Sequence, residues 1–355
     1  MARDLMKGNE AIGAAAIKAG CRYFFGYPIT PQSELPEYMS RELPKVGGVF
    51  LQAESEVAAI NMVYGAAGAG ARVMTSSSSP GISLKMEGIS YIAGAELPCL
   101  IVNIVRGGPG LGGIQPAQSD YFQATKGGGH GDYRLIVLAP NSIQEMCDLV
   151  MDGFDIADQY RNPVMILGDG ILGQMMEAVE LKKPKKRELP PKDWATTGIK
   201  DKYGKKRLIS SLFIQPEDLE KHNLKLQMKY EKIKKNETKF ESVYADDADI
   251  VLTAYGTTSR IVSNAIKALK KEGIKAGMIR PITLWPFPYE AYEKAADSAK
   301  AFLTVEMSLG QMIEDVKLGV NGKKPVHFYG RTGGMLPDQT EIVEKVKKIL
   351  GGEIS

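Results

Sequence analysis

Short apolar runs alternate with amphipathic segments along most of this chain, and no single motif constrains the fold as much. "YFFGY", "GGVFLQ", "ARVMTSS", "PCLIVNIVR", "RLIVLAP" and "PVMILGD" read as strands. Around and between them the pattern predicts helices at 8–20, 31–42, 54–69, 80–94 and 141–159. In the first of these, Ile12, Ala15, Ala16 and Ala19 recur at i, i+3, i+4 and i+7. Repeated β-α units of this size imply an α/β fold, with a mainly parallel sheet and helices on both faces. In open sheets of this kind ligands bind where strands end and helices begin. The strand-to-helix turns are therefore where function is sought.

A second α/β unit follows. "DIVLTAYG", "KAGMIRPITLWPFP", "AFLTVEMS" and "PVHFYGR" read as strands, with helices at 257–271, 289–298 and 338–350. Between the two units, "KKPKKRELPPKD" (182–193) is charged and proline-rich and reads as an exposed connection. Residues 217–239 carry a stripe of Leu219, Leu226, Tyr230 and Ile233, the pattern of a linker helix lying on one domain. The expected division is 1–180, a linker at 181–245, and 246–355.

With 355 residues, 44% hydrophobic and 25% charged, the chain has ordinary globular composition. A formal charge of +3 argues against a nucleic-acid partner. Cys21, Cys99 and Cys147 are far apart and cannot by themselves build a zinc or iron–sulfur site. They suit a reduced, cytoplasmic setting. No apolar run approaches the ~20 residues of a membrane span, and the start does not read as a signal peptide.

Five turns carry chemical content. In "FFGYPITPQSE" (24–34), Pro28 and Pro31 flank Ile29 and Thr30 and narrow their backbone range. Thr30 then either caps a helix starting at Pro31 or is presented, with that helix end, to an anion. "QAESEVAAINMVYGAAGAGAR" (52–72) opens a helix with Glu54 and Glu56, about 200° apart on the wheel. Val57, Ile60, Tyr64 and Ala67 form the expected buried stripe, which Glu56 borders and Glu54 does not. A half-buried carboxylate there is an acid/base candidate, although the helix dipole alone favours acids at that place. "TSSSSPG" (75–81) offers the hydroxyls of Ser78 and Ser79 at a helix start, for a ligand or for capping. In "VRGGPGLGG" (105–113), Arg106 ends a strand before a glycine-rich loop, where an arginine can grip a carboxylate or phosphate, or pair with a neighbouring acid. His130 stands among glycines in "KGGGHGDY". Two further signals mislead. "GAAGAGAR" ends a helix where a dinucleotide fingerprint would follow a strand. "GDG" (168–170) starts like a thiamine diphosphate and metal motif, but the next asparagine after it is the distant Asn223.

Taken together, "GYPITPQSE", "QAESEVAAINMVYGAAGAGARVMTSSSSPG", "VNIVRGGPG", "IRPITLWPFP" and "VEMSLGQM" resemble the α subunit of 2-oxoacid:ferredoxin oxidoreductases, in order from about residue 5 to 350. "RGGPGLGGIQPAQSDYFQATKGGGHGDYR" (106–134) looks like the branched-chain type, which oxidises 2-ketoisovalerate (3-methyl-2-oxobutanoate). The resemblance implies a thiamine-diphosphate-fold pyrimidine-binding domain followed by a transketolase C-terminal-like domain. It implies that a β subunit holds Mg²⁺, the cofactor's diphosphate and a [4Fe-4S] cluster. Further clusters would lie in γ and ferredoxin-like δ subunits, with ferredoxin as electron acceptor and CoA as co-substrate.

Residue roles follow from the same resemblance. The activating glutamate lies nine residues before the glycine of the "YG" step, which selects Glu56. It hydrogen-bonds N1′ of the cofactor's aminopyrimidine and stabilises the imino tautomer. Thr30 and Arg106 match positions that hold the substrate carboxylate; Ser78 and Ser79 are placed toward the cofactor; Pro28 and His130 are further candidates. Many relatives have Pro-Ser-Ser where this chain has Pro-Gln-Ser, which leaves Gln32 without an assigned role. Alternatives are the same subunit acting on 2-oxoglutarate or another 2-oxoacid, a non-catalytic assembly subunit, and a self-contained thiamine enzyme.

Overall fold

The computed structural model describes residues 3–182, 187–198 and 206–353. Part of the charged connection expected at 182–193, residues 183–186, lies outside them. The chain begins β1 (Asp4–Lys7), α1 (Gly8–Lys18), β2 (Tyr23–Gly26), α2 (Glu34–Glu42), β3 (Val49–Gln52), α3 (Glu56–Gly68), β4 (Val73–Ser77), α4 (Ser79–Gly94) and β5 (Leu100–Val105). There follow α5 (Tyr121–Thr125), β6 (Ile136–Leu138), α6 (Ile143–Tyr160), β7 (Val164–Asp169), α7 (Gly170–Gln174) and β8 (Met176–Val179). The remainder is α8 (Pro216–Glu237), β9 (Phe240–Val243), β10 (Ile250–Thr253), α9 (Gly256–Lys271), β11 (Ala276–Pro281), β12 (Thr283–Trp285), α10 (Tyr289–Ala295), β13 (Ala301–Glu306), α11 (Met312–Val320), β14 (Val326–Gly330) and α12 (Gln339–Leu350).

The larger sheet runs β12-β6-β7-β5-β4-β2-β3 and is parallel except for β12, which pairs antiparallel with β6. The second runs β14-β13-β10-β11-β9, parallel except for β9. Two exchanges were not readable from local pattern. β9, within the stretch read as a linker, joins the second sheet, and β12, from the second unit, closes one edge of the first. A small β1–β8 ribbon and helix α11 also had no sequence signal strong enough to expect them.

β5 is buried along its whole length because both faces are covered. Leu100, Val102 and Ile104 face α1, α6 and α8, while Ile101 and Val105 join the cluster beneath α3 and α4. Asn103 stands two residues from each of the latter pair and so points, like them, to the α3–α4 side. Leu226, Tyr230 and Ile233 of α8 are buried in the first unit's core, but Leu219 is exposed. In α3 the buried stripe is Glu56, Ala59, Ile60, Val63 and Ala67, and Val57 is 44% exposed. The stripe is rotated about one residue from the expected one, because α4 packs across α3 and claims the Glu56–Ile60–Val63 side.

Candidate active site

β2, β3, β4, β5 and β7 lie side by side and parallel, so their carboxyl ends meet at one edge of the sheet. That edge gathers Thr30, Glu56, Ser78, Ser79 and Arg106. Ser55 caps α3, its hydroxyl accepting from the Ala58 amide at 3.2 Å. Glu56 is the first helical residue and only 6% exposed, whereas Glu54 is exposed. The Glu56 carboxylate lies against Gly81 at the start of α4. A Cβ on Gly81 would come within 2.6 Å of Glu56 Oε1 and 2.1 Å of Ser77 Oγ. The absence of that one carbon makes room for the carboxylate.

The loop after β2 departs from expectation. Helix α2 begins at Glu34, and neither Thr30 nor Ser33 caps it with a side chain. The reason is that the Pro31 carbonyl is already taken by Asn9 Nδ2 at 2.8 Å and Gln174 Nε2 at 3.0 Å. It is not free to start a helical turn. The Thr30–Pro31 bond is cis. Gln32 is fully buried; its Oε1 accepts from Ser76 Oγ at 2.5 Å and its Nε2 donates to the Tyr27 carbonyl. Gln32 is thus the strut that fixes this loop to β4. Pro28 and Thr30 remain exposed on its outer side.

Arg106 is 7% exposed and has no carboxylate partner among the described residues. Its Nη1 donates to the Thr30 carbonyl at 3.0 Å and its Nη2 to the Leu111 carbonyl at 3.1 Å, so it ties two loops together. Its Nε has no partner. Ser79 has φ of +23°, its amide donates to Asn103 Oδ1 at 3.1 Å, and its hydroxyl meets the Arg106 backbone. Asn103 in turn donates to Asp120 at 2.9 Å. Burial pushes the Asp120 carboxyl above its usual range, against the hydrogen bonds from Asn103 and Ser79. Ser77 Oγ and Ser78 Oγ are buried without partners. Polar atoms are seldom left so. Several of them at one strand edge, beside an unneutralised guanidinium, form a built cradle for a polar ligand.

Two family models match the chain in succession. One, pyruvate flavodoxin/ferredoxin oxidoreductase, thiamine diP-bdg, covers residues 14–243; the other, pyruvate:ferredoxin oxidoreductase core domain II, covers 248–342. The chain belongs to the pyruvate flavodoxin/ferredoxin oxidoreductase family. The ketoisovalerate oxidoreductase subunit VorB of Methanothermobacter marburgensis is 51% identical over 351 residues, 99% of each chain. The 2-oxoglutarate synthase subunit KorA of the same organism is 37% identical, over 96% of this chain and 97% of its own. A structure of 2-oxoglutarate:ferredoxin oxidoreductase from Magnetococcus marinus, with 2-oxoglutarate, coenzyme A and succinyl-CoA bound, matches 98% of this chain with TM-score 0.86 and 29% identity. This chain spans 65% of the length of that one. A split-gene transketolase, at TM-score 0.61 and 16% identity, shares the fold.

Within this oxidoreductase family member, three sequence signals resolve differently from the rest. His130 is exposed, edge-on to Tyr91 at 5.9 Å, in an open hollow of about 430 Å³ shared with Asn61 and Tyr64. Tyr91 lies 12 residues along from Ser79, which is ~18 Å of helix. His130 is therefore not brought to the cradle. Asp169, of the "GDG" step, caps α7 by accepting from the Ile171 and Leu172 amides at 2.9 and 3.2 Å. Glu306, in "VEMSLGQM", accepts from the amides of Gln311, Met312 and Ile313 at the start of α11. That motif holds the fold. Asn103 and Gly81 were missed: the signals were a lone amide in an apolar strand and a glycine one turn into a helix beside the acid.

Proposed function

We propose that this oxidoreductase subunit serves a thiamine-diphosphate- and CoA-dependent 2-oxoacid:ferredoxin oxidoreductase that converts 2-ketoisovalerate to isobutyryl-CoA and CO₂, with two electrons passed to ferredoxin. The observation that carries the reading is the buried Glu56 carboxylate lodged against Gly81, with the unpartnered Ser77, Ser78 and Arg106 atoms at the same sheet edge. These residues suit an aminopyrimidine and a carboxylate. When bound, the cofactor supplies the nucleophilic carbon and the electron sink for decarboxylation. Glu56 holds a proton at the pyrimidine N1′. Ser78 and Ser79 border the cofactor. Arg106 and Thr30 grip the substrate carboxylate, Arg106 also holding Thr30 in place through its carbonyl. Pro28 stiffens that loop.

Residues 1–180 act as the pyrimidine-binding domain, 181–245 as the linker and 246–355 as the transketolase C-terminal-like domain. The Mg²⁺, the diphosphate and the [4Fe-4S] clusters belong to β, γ and δ partners. Exposed Tyr27, Val57, Leu84, Leu111 and Ile114, at or near the same edge, support a partner covering the cradle. The setting is cytoplasmic. Among the described residues no helix is long and apolar enough to cross a membrane. Higher identity to the ketoisovalerate than to the 2-oxoglutarate relatives favours a branched substrate. Apolar Leu111 and Ile114 in the loop beside Arg106 suit an isopropyl group better than a second carboxylate, whose unpaired burial is costly.

The test uses the co-purified complex with CoA, a redox dye and a panel of 2-oxoacids. 2-Ketoisovalerate should give the highest kcat/KM; a preference for 2-oxoglutarate would overturn the substrate. Calorimetry on the chain alone with Mg²⁺ should show weak cofactor binding, and tight stoichiometric binding would refute a shared site.

A further inference from the structure

Lys85 sits in the middle of α4, in the stretch "GISLKMEGISYIAG". It is fully buried, and its Nζ has no hydrogen-bond partner. An unpaired buried ammonium is among the costlier arrangements a fold can hold. Its place in the helix shows what it faces. Gly81 and Gly88 of α4 both press on α3, the first against Glu56 and the second against Ile60. Lys85 lies between them, four residues after Gly81 and three before Gly88, so it shares their face. That face turns to the α3–α4 seam, where the Glu56 carboxylate also lies, with no ion pair or hydrogen bond between the two groups.

We infer that Lys85 is a positioning residue for Glu56, its ammonium setting the charge environment of that buried carboxylate and directing it toward the cofactor. The inference rests on the reading of Glu56 given above. Packing does not explain the lysine. A methionine would fill the same slot without burying a charge. Burial alone favours a protonated carboxyl, and a facing cation opposes this. Among the described residues Glu56 is the ionisable group whose charge acts on Lys85. Burial pulls the lysine down to about 8, and the Glu56 charge works against that fall. Below that pH Lys85 is a cation and Glu56 has its counter-charge.

The experiment compares wild type, Lys85→Met, Lys85→Arg and Glu56→Gln in the assembled complex. Three readouts are thermal midpoint, thiamine diphosphate affinity by calorimetry, and kcat against pH. Lys85→Met removes a buried ammonium but leaves Glu56 without its counter-charge, so the midpoint should stay near that of wild type. It should move the acid limb of kcat and of cofactor affinity upward by about one pH unit, or roughly tenfold in rate well below the limb. Lys85→Arg should restore the acid limb. An inflection near pH 8 in wild type should be missing from both lysine variants. An unchanged or raised midpoint with unmoved limbs would overturn the inference. So would a lowered midpoint with activity lost in proportion to folded enzyme, which is the mark of a packing residue. If Glu56→Gln keeps wild-type kcat, the reading of Glu56 itself falls. If Glu56→Gln is crippled while Lys85→Met is unchanged, only the role of Lys85 is refuted.

Discussion

Gly81→Ala isolates the geometry around Glu56 with a single carbon. The new methyl would meet Glu56 Oε1 at 2.6 Å and Ser77 Oγ at 2.1 Å. Neither distance is tolerable, so the carboxylate must move outward by roughly an ångström. A misplacement of that size costs on the order of 10²-fold in rate. Stability should change little, since the helix gains about 1 kcal/mol in propensity and loses about 1–3 to overpacking. Gly88→Ala is the matched control. Its methyl would press Ile60 Cγ2 at 2.5 Å in the same helix pair, two turns along α4 from Gly81. Both variants should assemble with similar thermal midpoints. In the dye-coupled assay with 2-ketoisovalerate and CoA, kcat should fall about 10²-fold for Gly81→Ala and stay near wild type for Gly88→Ala. A Gly81→Ala enzyme within twofold of wild type would refute the idea that Glu56 works from this position.

Glu56→Gln should lower kcat by 10²–10⁴-fold, the usual span for acid–base groups, while the complex still assembles. Exposed Glu54→Gln should be nearly silent, and the reverse order would show that the wrong glutamate was chosen. Arg106→Ala should lower kcat/KM roughly 10- to 150-fold for 2-ketoisovalerate, pyruvate and 2-oxoglutarate alike. Damage confined to 2-oxoglutarate would mean that Arg106 reads a distal acid. Lys85 titrates near 8 when folded against 10.5 when free. The unfolded chain therefore binds the extra proton between those values, and stability rises with pH across that window. The gain is on the order of 3 kcal/mol, and urea midpoints should show it in wild type but not in Lys85→Met.

The alternating pattern made the parallel sheet and most helices legible because each strand and helix carried its own local period. Glu56 was separable from Glu54 because only one of two acids two residues apart can border a buried stripe. What stayed hidden was non-local. Thr30 looked like a helix cap because capping is read from neighbours, while the Pro31 carbonyl is claimed by Asn9 and Gln174, far away in sequence. Arg106 read as a grip for a ligand anion or as the partner of a neighbouring acid, and its guanidinium also holds the carbonyls of Thr30 and Leu111. Backbone acceptors leave no trace in residue type. β12 belongs to the first sheet through pairing with β6, and nothing in its three residues records that choice.

The same non-local contacts decide how the cradle can open. β12 threads the second unit into the first sheet. Gln118 then closes the join from the other side, its Nε2 donating to the Tyr255 carbonyl and its Oε1 accepting from Thr258 and from the Met307 amide. Asp315 of α11 accepts from Tyr121 and Lys126, both in the first unit. Arg280 grips Glu145 of α6 through two bonds of 2.9 Å. One hydrophobic cluster runs from Ile101 and Val105 to Val251, Ile279 and Phe302 without a break. A hinge between the units would have to break all of these at once. Glu56, Ser78 and Arg106 all stand at strand ends of the first unit's sheet, which no such hinge would divide. Access to them falls to the exposed glycine-rich loop after Arg106, where Leu111 is 84% exposed, and to whatever covers that edge in the assembled enzyme.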